Sequence, residues 1–180
     1  ARLAAVIAAV RGGGLRVHCL TSAVAAERTA NTLLALNVRP SLTIHPAEVA
    51  DFVARSDALL VNLGMTDTER EAAIGPAIGA AQRHGRPWAL DPVFVDVSAR
   101  RRDLAMRCLM RAPAVLKANA AEAFLADAAP EATACVTTGA TDAIRHGGRR
   151  LRIGNGHPLA ARVTAAGCAL GAVIAACLAV

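Results

Sequence analysis

The chain has 180 residues, 54% of them hydrophobic and 19% charged, with a formal net charge of +6. That length and apolar content suit one domain with a sizeable buried core, and they exclude a disordered chain and a multidomain reading. Aromatic residues are only 2%, with no Tyr, so the basic surplus comes without a stacking platform and nucleic-acid binding is not expected.

In chain order, Ala1 to Val10 is apolar and reads as a helix, followed by a strand at Leu15 to Leu20 and a helix at Val24 to Leu36. Ser41 to Ile44, Ala58 to Leu63, Trp88 to Leu90, Ala114 to Leu116 and Thr133 to Thr137 are short apolar runs bounded by turn residues, and each reads as a strand. Ala47 to Arg55, Asp67 to His84, Arg101 to Arg111 and Ala120 to Ala126 carry apolar residues at spacings of three and four, and read as helices. Beyond them, Asp142 to His146 and Leu151 to Ile153 flank Gly147 and Gly148 as a β-hairpin, and a last helix starts near Gly167. Strands without strict alternation, each followed by a helix, predict an α/β open sheet, mostly parallel, with helices on both faces. Its ligand crevice belongs at the carboxyl ends of the strands.

Five cysteines, none in C-x-x-C spacing, indicate neither a zinc site nor a disulfide scaffold, and a reducing cytoplasm is expected. The apolar stretch Ala165 to Val180 is shorter than the ~20 residues a bilayer requires, so no membrane association is expected. The arginine clusters at 100–102 and at 149, 150 and 152 read as solvated faces.

Four stretches that end at the carboxyl edge carry polar or turn residues: Asn62-Leu63-Gly64, Asp91-Pro92-Val93, Lys117-Ala118-Asn119, and Thr137-Thr138-Gly139 with Asp142 beyond. No P-loop or dinucleotide fingerprint is present. The segment Arg162 to Cys168 runs from a loop into an apolar helix, so its N–H groups form an anion site at the positive helix end. Cys168 falls in the first turn, where that field lowers a thiol pKa and makes the sulfur a proton acceptor; a buried structural cysteine is the other reading. Asn119 with Glu122 is either a capping box or a pair facing phosphate-bound magnesium through water. Asp91 is either a turn residue or part of the same site. The five histidines form no metal-ligand pair and receive no catalytic role.

These stretches together resemble the hydroxyethylthiazole kinase family, thiamin-salvage enzymes of ribokinase-like fold. The resemblance rests on Val17-His18-Cys19-Leu20-Thr21, the run Thr29 to Leu36, Leu90-Asp91-Pro92-Val93, Asn119-Ala120-Ala121-Glu122, Thr138-Gly139 with Asp142, Asn155-Gly156-His157, and Val163-Thr164 with Gly167-Cys168. It covers nearly the whole chain. It implies transfer of the ATP γ-phosphoryl group to the hydroxyl of 4-methyl-5-(2-hydroxyethyl)thiazole, with Mg²⁺, in a cytoplasmic homotrimer whose sites lie between subunits. By resemblance, Cys168 is the catalytic residue and Ala165, Ala166 and Gly167 supply the anion hole. Lys117, Thr138, Gly139 and Asn119 fall at ATP-binding positions. Leu42, Ala23, Val24 and Ala165 fall at substrate positions, and Asp91 and Glu122 at metal positions.

Departures from the family concentrate in the site. Its Thr-Asn-Asn segment is Thr21-Ser22-Ala23 here, its later Asn-Phe is Glu27-Arg28, Lys117 replaces an arginine, and Ala165 replaces a glycine. Phe94-Val95-Asp96 stands where the family has a glycine-rich turn. These changes motivate a second reading, a catalytically impaired ligand-binding or regulatory relative. Residues 1–180 are expected to form a single ribokinase-like domain, without the family's longer internal segment near 125–132 and its C-terminal helices.

Overall fold

A computed structural model describes residues 2–180, so Ala1 of the first expected helix lies outside the described residues. The order is α1 (Arg2–Arg11), β1 (Arg16–Leu20), α2 (Ala23–Ala35), β2 (Arg39–Ser41), α3 (Val49–Ala54), β3 (Ala58–Asn62), α4 (Thr68–Arg83) and β4 (Trp88–Asp91). Then come α5 (Ala99–Leu109), β5 (Val115–Asn119), β6 (Ala134–Thr138), β7 (Asp142–His146), β8 (Arg149–Ile153) and α6 (Ala166–Leu178). Two 3-10 turns, Ala123–Ala128 and Pro158–Arg162, complete the described chain.

The eight strands form one sheet in the order β2-β1-β3-β4-β5-β6-β7-β8. Pairing is parallel from β2 to β6 and antiparallel beyond it. Successive residues of β3 point to opposite layers: Leu59 and Val61 join the core under α3, α4 and α5, while Ala58 and Leu60 join the core under α1, α2 and α6. All five residues of β3 are buried, which is why its sequence shows no polar alternation.

Two expected elements differ. The second strand is displaced from Ser41 to Ile44 back to Arg39–Ser41, because Pro40 is tolerated on an edge strand where its missing N–H needs no partner. The expected helix at Ala120 to Ala126 is a 3-10 turn at Ala123–Ala128. At the hairpin, Gly147 and Gly148 both have positive φ, 53° and 74°, as a tight two-residue connection between twisted strands demands.

The order β2-β1-β3 makes the chain reverse its winding direction between β1 and β3, and such a switch opens a crevice at the carboxyl edge. Helix α6 lies across β1, β3 and β4. Gly171 permits that approach: a Cβ there would stand 3.1 Å from Leu60 Cδ1 and 3.6 Å from Asp91 Oδ2. The packing brings the first turn of α6 to the ends of β4 and β5.

Candidate active site

Asp91 ends β4 with its side chain buried, and Asn62 is its register partner at the end of β3. Lys117 of β5 directs its ammonium at the carboxylate, 3.2 Å from each oxygen. Asn62 Nδ2 donates to Asp91 Oδ2 at 2.8 Å, while Asn62 Oδ1 accepts the Gly64 N–H at 3.0 Å. Only an acceptor can meet that N–H, so the carboxamide orientation is determined. Burial pushes the Asp91 pKa up to about 6 although Lys117 opposes the change, since removing the carboxylate from water outweighs one imperfectly aligned ammonium.

The first turn of α6 faces this cluster, because a Cβ on Gly167 would sit 3.1 Å from Lys117 Nζ. Ala165 caps the helix at φ 60°, ψ 17°, so an alanine holds a left-handed conformation that glycine takes freely. The Ala166 N–H donates to the Val163 carbonyl at 3.2 Å and is not available to a ligand. Among the described residues, the N–H groups of Ala165 and Gly167 have no backbone or side-chain acceptor, while that of Cys168 is turned to its own Sγ. Of the three N–H groups expected to form the anion hole, Ala165, Ala166 and Gly167, those of Ala165 and Gly167 are therefore left unpaired.

Cys168 is half-buried rather than sealed in the core, and its thiol pKa moves opposite to expectation. Burial raises it first and the Asp91 charge raises it further, with the Asn62 carboxamide, the Lys117 ammonium and the residue's own N–H opposing. The helix field alone favours a thiolate; a carboxylate delivered by β4 and a dry setting overrule it.

At the neighbouring strand end, Glu122 accepts the Asn119 N–H at 3.0 Å and the Phe94 N–H at 2.8 Å, and Asn119 Oδ1 accepts from Ala121 and Glu122. The capping box is thus present, and it also pins the turn after β4. Among the described residues no group of three or more His, Cys, Asp or Glu could hold a metal. Every carboxylate oxygen of Asp91 and Glu122 already accepts a hydrogen bond. The pair fits magnesium only as an ion held by phosphates and reached through water, a coordination this cation commonly keeps. The Thr138 hydroxyl donates to the Ala118 carbonyl at 3.3 Å, and the Gly139 N–H is held by Asp142 at 2.9 Å. Gly156 backs this turn so closely that a Cβ would meet the Gly139 carbonyl at 2.5 Å.

On the opposite flank, Ala23 and Val24 open α2 and are exposed, and Leu42 is half-buried against the second core. His18 holds the segment that carries Leu42: its Nε2 donates to the Thr43 carbonyl at 3.1 Å, so Nδ1 accepts from Ser41 Oγ at 2.8 Å. Phe94-Val95-Asp96 does not plug the cleft with its aromatic ring: Val95 enters the core and Phe94 is exposed, with the Arg101 guanidinium 5.9 Å from its centroid.

Sequence reasoning missed three residues. Asn62 was only one of several polar strand ends, and its role depends on its register with Asp91. Arg70 sits in the first turn of α4 amid an ordinary polar helix start, yet is 2% exposed. Arg101 belongs to a run read as a solvated face, but its guanidinium bonds the Leu63 and Val93 carbonyls, each at 3.1 Å. The arginines at 149, 150 and 152 are exposed.

An α/β sheet whose crevice combines unpaired N–H groups at a helix start, a buried lysine and two carboxylates is the frame of a phosphoryl-transfer enzyme. Comparison with known proteins sharpens that class. A model of the hydroxyethylthiazole kinase family matches residues 7–131 and 124–180. A curated protein of Agrobacterium fabrum, described as a probable hydroxyethylthiazole kinase, is 41% identical over 100% of this chain and 73% of its own length. A hydroxyethylthiazole kinase of Klebsiella pneumoniae is 36% identical, over 89% of this chain and 72% of its own. The solved hydroxyethylthiazole kinase structure from Pyrococcus horikoshii OT3 superposes with a TM-score of 0.90 and 30% identity, covering 98% of this chain and 76% of that one. The chain belongs to the hydroxyethylthiazole kinase family.

Proposed function

We propose that this protein transfers the γ-phosphoryl group of ATP to the hydroxyl of 4-methyl-5-(2-hydroxyethyl)thiazole, a thiamin-salvage reaction. The observation that carries this reading is the meeting of Cys168, the unpaired Ala165 and Gly167 N–H groups, and the Asp91–Lys117 pair at one carboxyl edge. The relatives named above support the substrate assignment.

In this reading the γ-phosphoryl group lies against the α6 N–H groups, which meet charge developing on its oxygens. Lys117 turns part of its charge from Asp91 to the phosphates. Its single ammonium lacks the two-pronged grip of an arginine. Thr138, Gly139 and Asn119 flank the nucleotide, and Leu42, Ala23, Val24 and Ala165 border the alcohol. Asp91 and Glu122 would face phosphate-bound magnesium through water, and that ion would supply positive charge to the transferring group. Cys168 in its thiolate form takes the hydroxyl proton. Phosphoryl transfer depends more on position and charge than on early proton removal, so a thiol that is mostly protonated at neutral pH is compatible with turnover. The enzyme is cytoplasmic and works as a homotrimer with sites between subunits.

A coupled assay of ATP consumption with the thiazole alcohol tests the proposal. Turnover is expected, with Cys168→Ala lowering kcat by roughly 10²–10⁴ while ATP binding changes little. ATP binding without phosphorylation of this or related alcohols would overturn it, and an unchanged rate in Cys168→Ala would reject the thiol as base.

A further inference from the structure

The loops that leave β3 and β4 run side by side, and each carries a non-glycine residue in the left-handed region: Met65 at φ 48° and Phe94 at φ 62°. Such a backbone is strained for a residue with a side chain and persists only where its surroundings hold it. Both side chains are exposed, so their own burial is not the restraint.

The restraint acts on the peptide that precedes each residue; before Phe94 its N–H is held by Glu122 at 2.8 Å, and the carbonyl side is the arginines' part in both loops. Arg70, at the start of α4, donates through Nη2 to the Gly64 carbonyl immediately before Met65. Arg101 of α5 donates through Nη1 to the Val93 carbonyl immediately before Phe94, and through the same nitrogen to the Leu63 carbonyl of the other loop, both at 3.1 Å. Arg70 therefore grips one loop, and Arg101 ties the two together. Their guanidinium groups are close enough to repel one another, a cost offset by Asp67 beside Arg70 and by the three carbonyls. From the first loop, the path to the site is short: the Gly64 N–H donates to Asn62, and Asn62 donates to Asp91.

We propose that Arg101, assisted by Arg70, is a positioning residue whose guanidinium clasps on the Leu63, Gly64 and Val93 carbonyls hold two strained loops together and so fix Asn62 and Asp91 beside Cys168. The kinetic part of this inference rests on the kinase reading; the clasp itself does not.

Hydrogen–deuterium exchange and steady-state kinetics on Arg101→Gln, Arg70→Gln and the double variant Arg101→Gln/Phe94→Gly test it in the full chain. Arg101→Gln is expected to raise exchange about tenfold or more in both 63–67 and 93–97, and Arg70→Gln in 63–67 alone, with the strand amides of β3 and β4 as protected as before. With ATP, Mg²⁺ and the thiazole alcohol, kcat of Arg101→Gln is expected to fall roughly tenfold at an ATP KM within about twofold. Phe94→Gly on that background is expected to restore part of kcat, because glycine keeps the left-handed turn without a clasp. Unchanged exchange in both loops, or an equal loss of protection along β3 and β4, would overturn the clasp. So would a fall in kcat that glycine at 94 leaves untouched. If Arg101→Gln does not fold, Arg101→Lys gives the same reading: its single nitrogen on a shorter reach is expected to free the 93–97 loop, and unchanged exchange there counts against the proposal. A native chain that phosphorylates no alcohol would end the kinase reading while leaving the exchange result to decide the clasp.

Discussion

Strands β4 and β8 belong to one sheet, and both are flanked by charge. β4 ends in Asp91, 1% exposed, and meets Lys117, whereas β8 carries Arg149, Arg150 and Arg152 with every residue exposed. The interior strand end keeps charge only by pairing it, because an unpaired ion out of water is costly. The edge strand spreads like charges into solvent, where they interact weakly and discourage pairing with another chain. Charge density in the sequence is therefore a poor guide to chemistry here, and charge placed at the end of a buried parallel strand is a good one.

The largest effect expected from breaking this contrast is at the buried pair. Lys117→Met leaves the Asp91 carboxylate without its partner ammonium and should cost about 3–5 kcal/mol in urea unfolding at neutral pH; a loss under 1 kcal/mol would mean Asn62 and water suffice. His18 comes next. Burial holds its folded pKa near 4 against 6.5 for the free side chain, so the unfolded chain takes up the proton first as the pH falls. This group alone makes stability decline from pH 6.5 toward 4 by up to about 1.4 kcal/mol per pH unit, whereas Asp91, whose folded pKa of about 6 lies above its ordinary 3.8, takes up its proton first in the folded chain and opposes that slope below pH 6. The native chain should therefore be nearly flat between pH 6 and 4, while His18→Asn should become more stable as the pH falls through that range, and identical profiles would deny His18 this role. Ala165→Gly removes a left-handed strain of roughly 1–2 kcal/mol while adding about 0.5–1 kcal/mol of unfolded-chain entropy. A small rise in Tm is expected, and a fall would show the cap to be unstrained. Arg150→Ala on the exposed edge should shift stability by no more than about 0.5 kcal/mol. A larger loss would mean that edge is built like the interior one.

The strand and helix succession was readable because most strands end at Gly, Pro or Asn and most helices repeat apolar residues at three and four. Arg39–Ser41 was not, since a proline argues against a strand until its place at the sheet edge is known. The unpaired N–H groups ahead of Cys168 were legible from the change of a polar loop into an apolar helix. The sign of its thiol shift was not, because the decisive charge comes from Asp91, brought there by the pairing of β3 with β4 and the crossing of α6. Asn62 and Arg101 escaped for the same reason. An asparagine at a strand end and an arginine in a basic run acquire meaning only from partners 29 and 38 residues away in Asp91 and Leu63.

The two-layer alternation along β3 has a consequence for how this sequence can change. One residue inserted or deleted between Ala58 and Val61 would exchange Leu59 and Val61 with Leu60 across the sheet, and would also rotate Asn62 away from Asp91. Folding and chemistry share a single reading frame in that strand, so a length change there is lost on both counts. In β8, whose two faces both meet water, the same change costs far less, so length is far less constrained at that border.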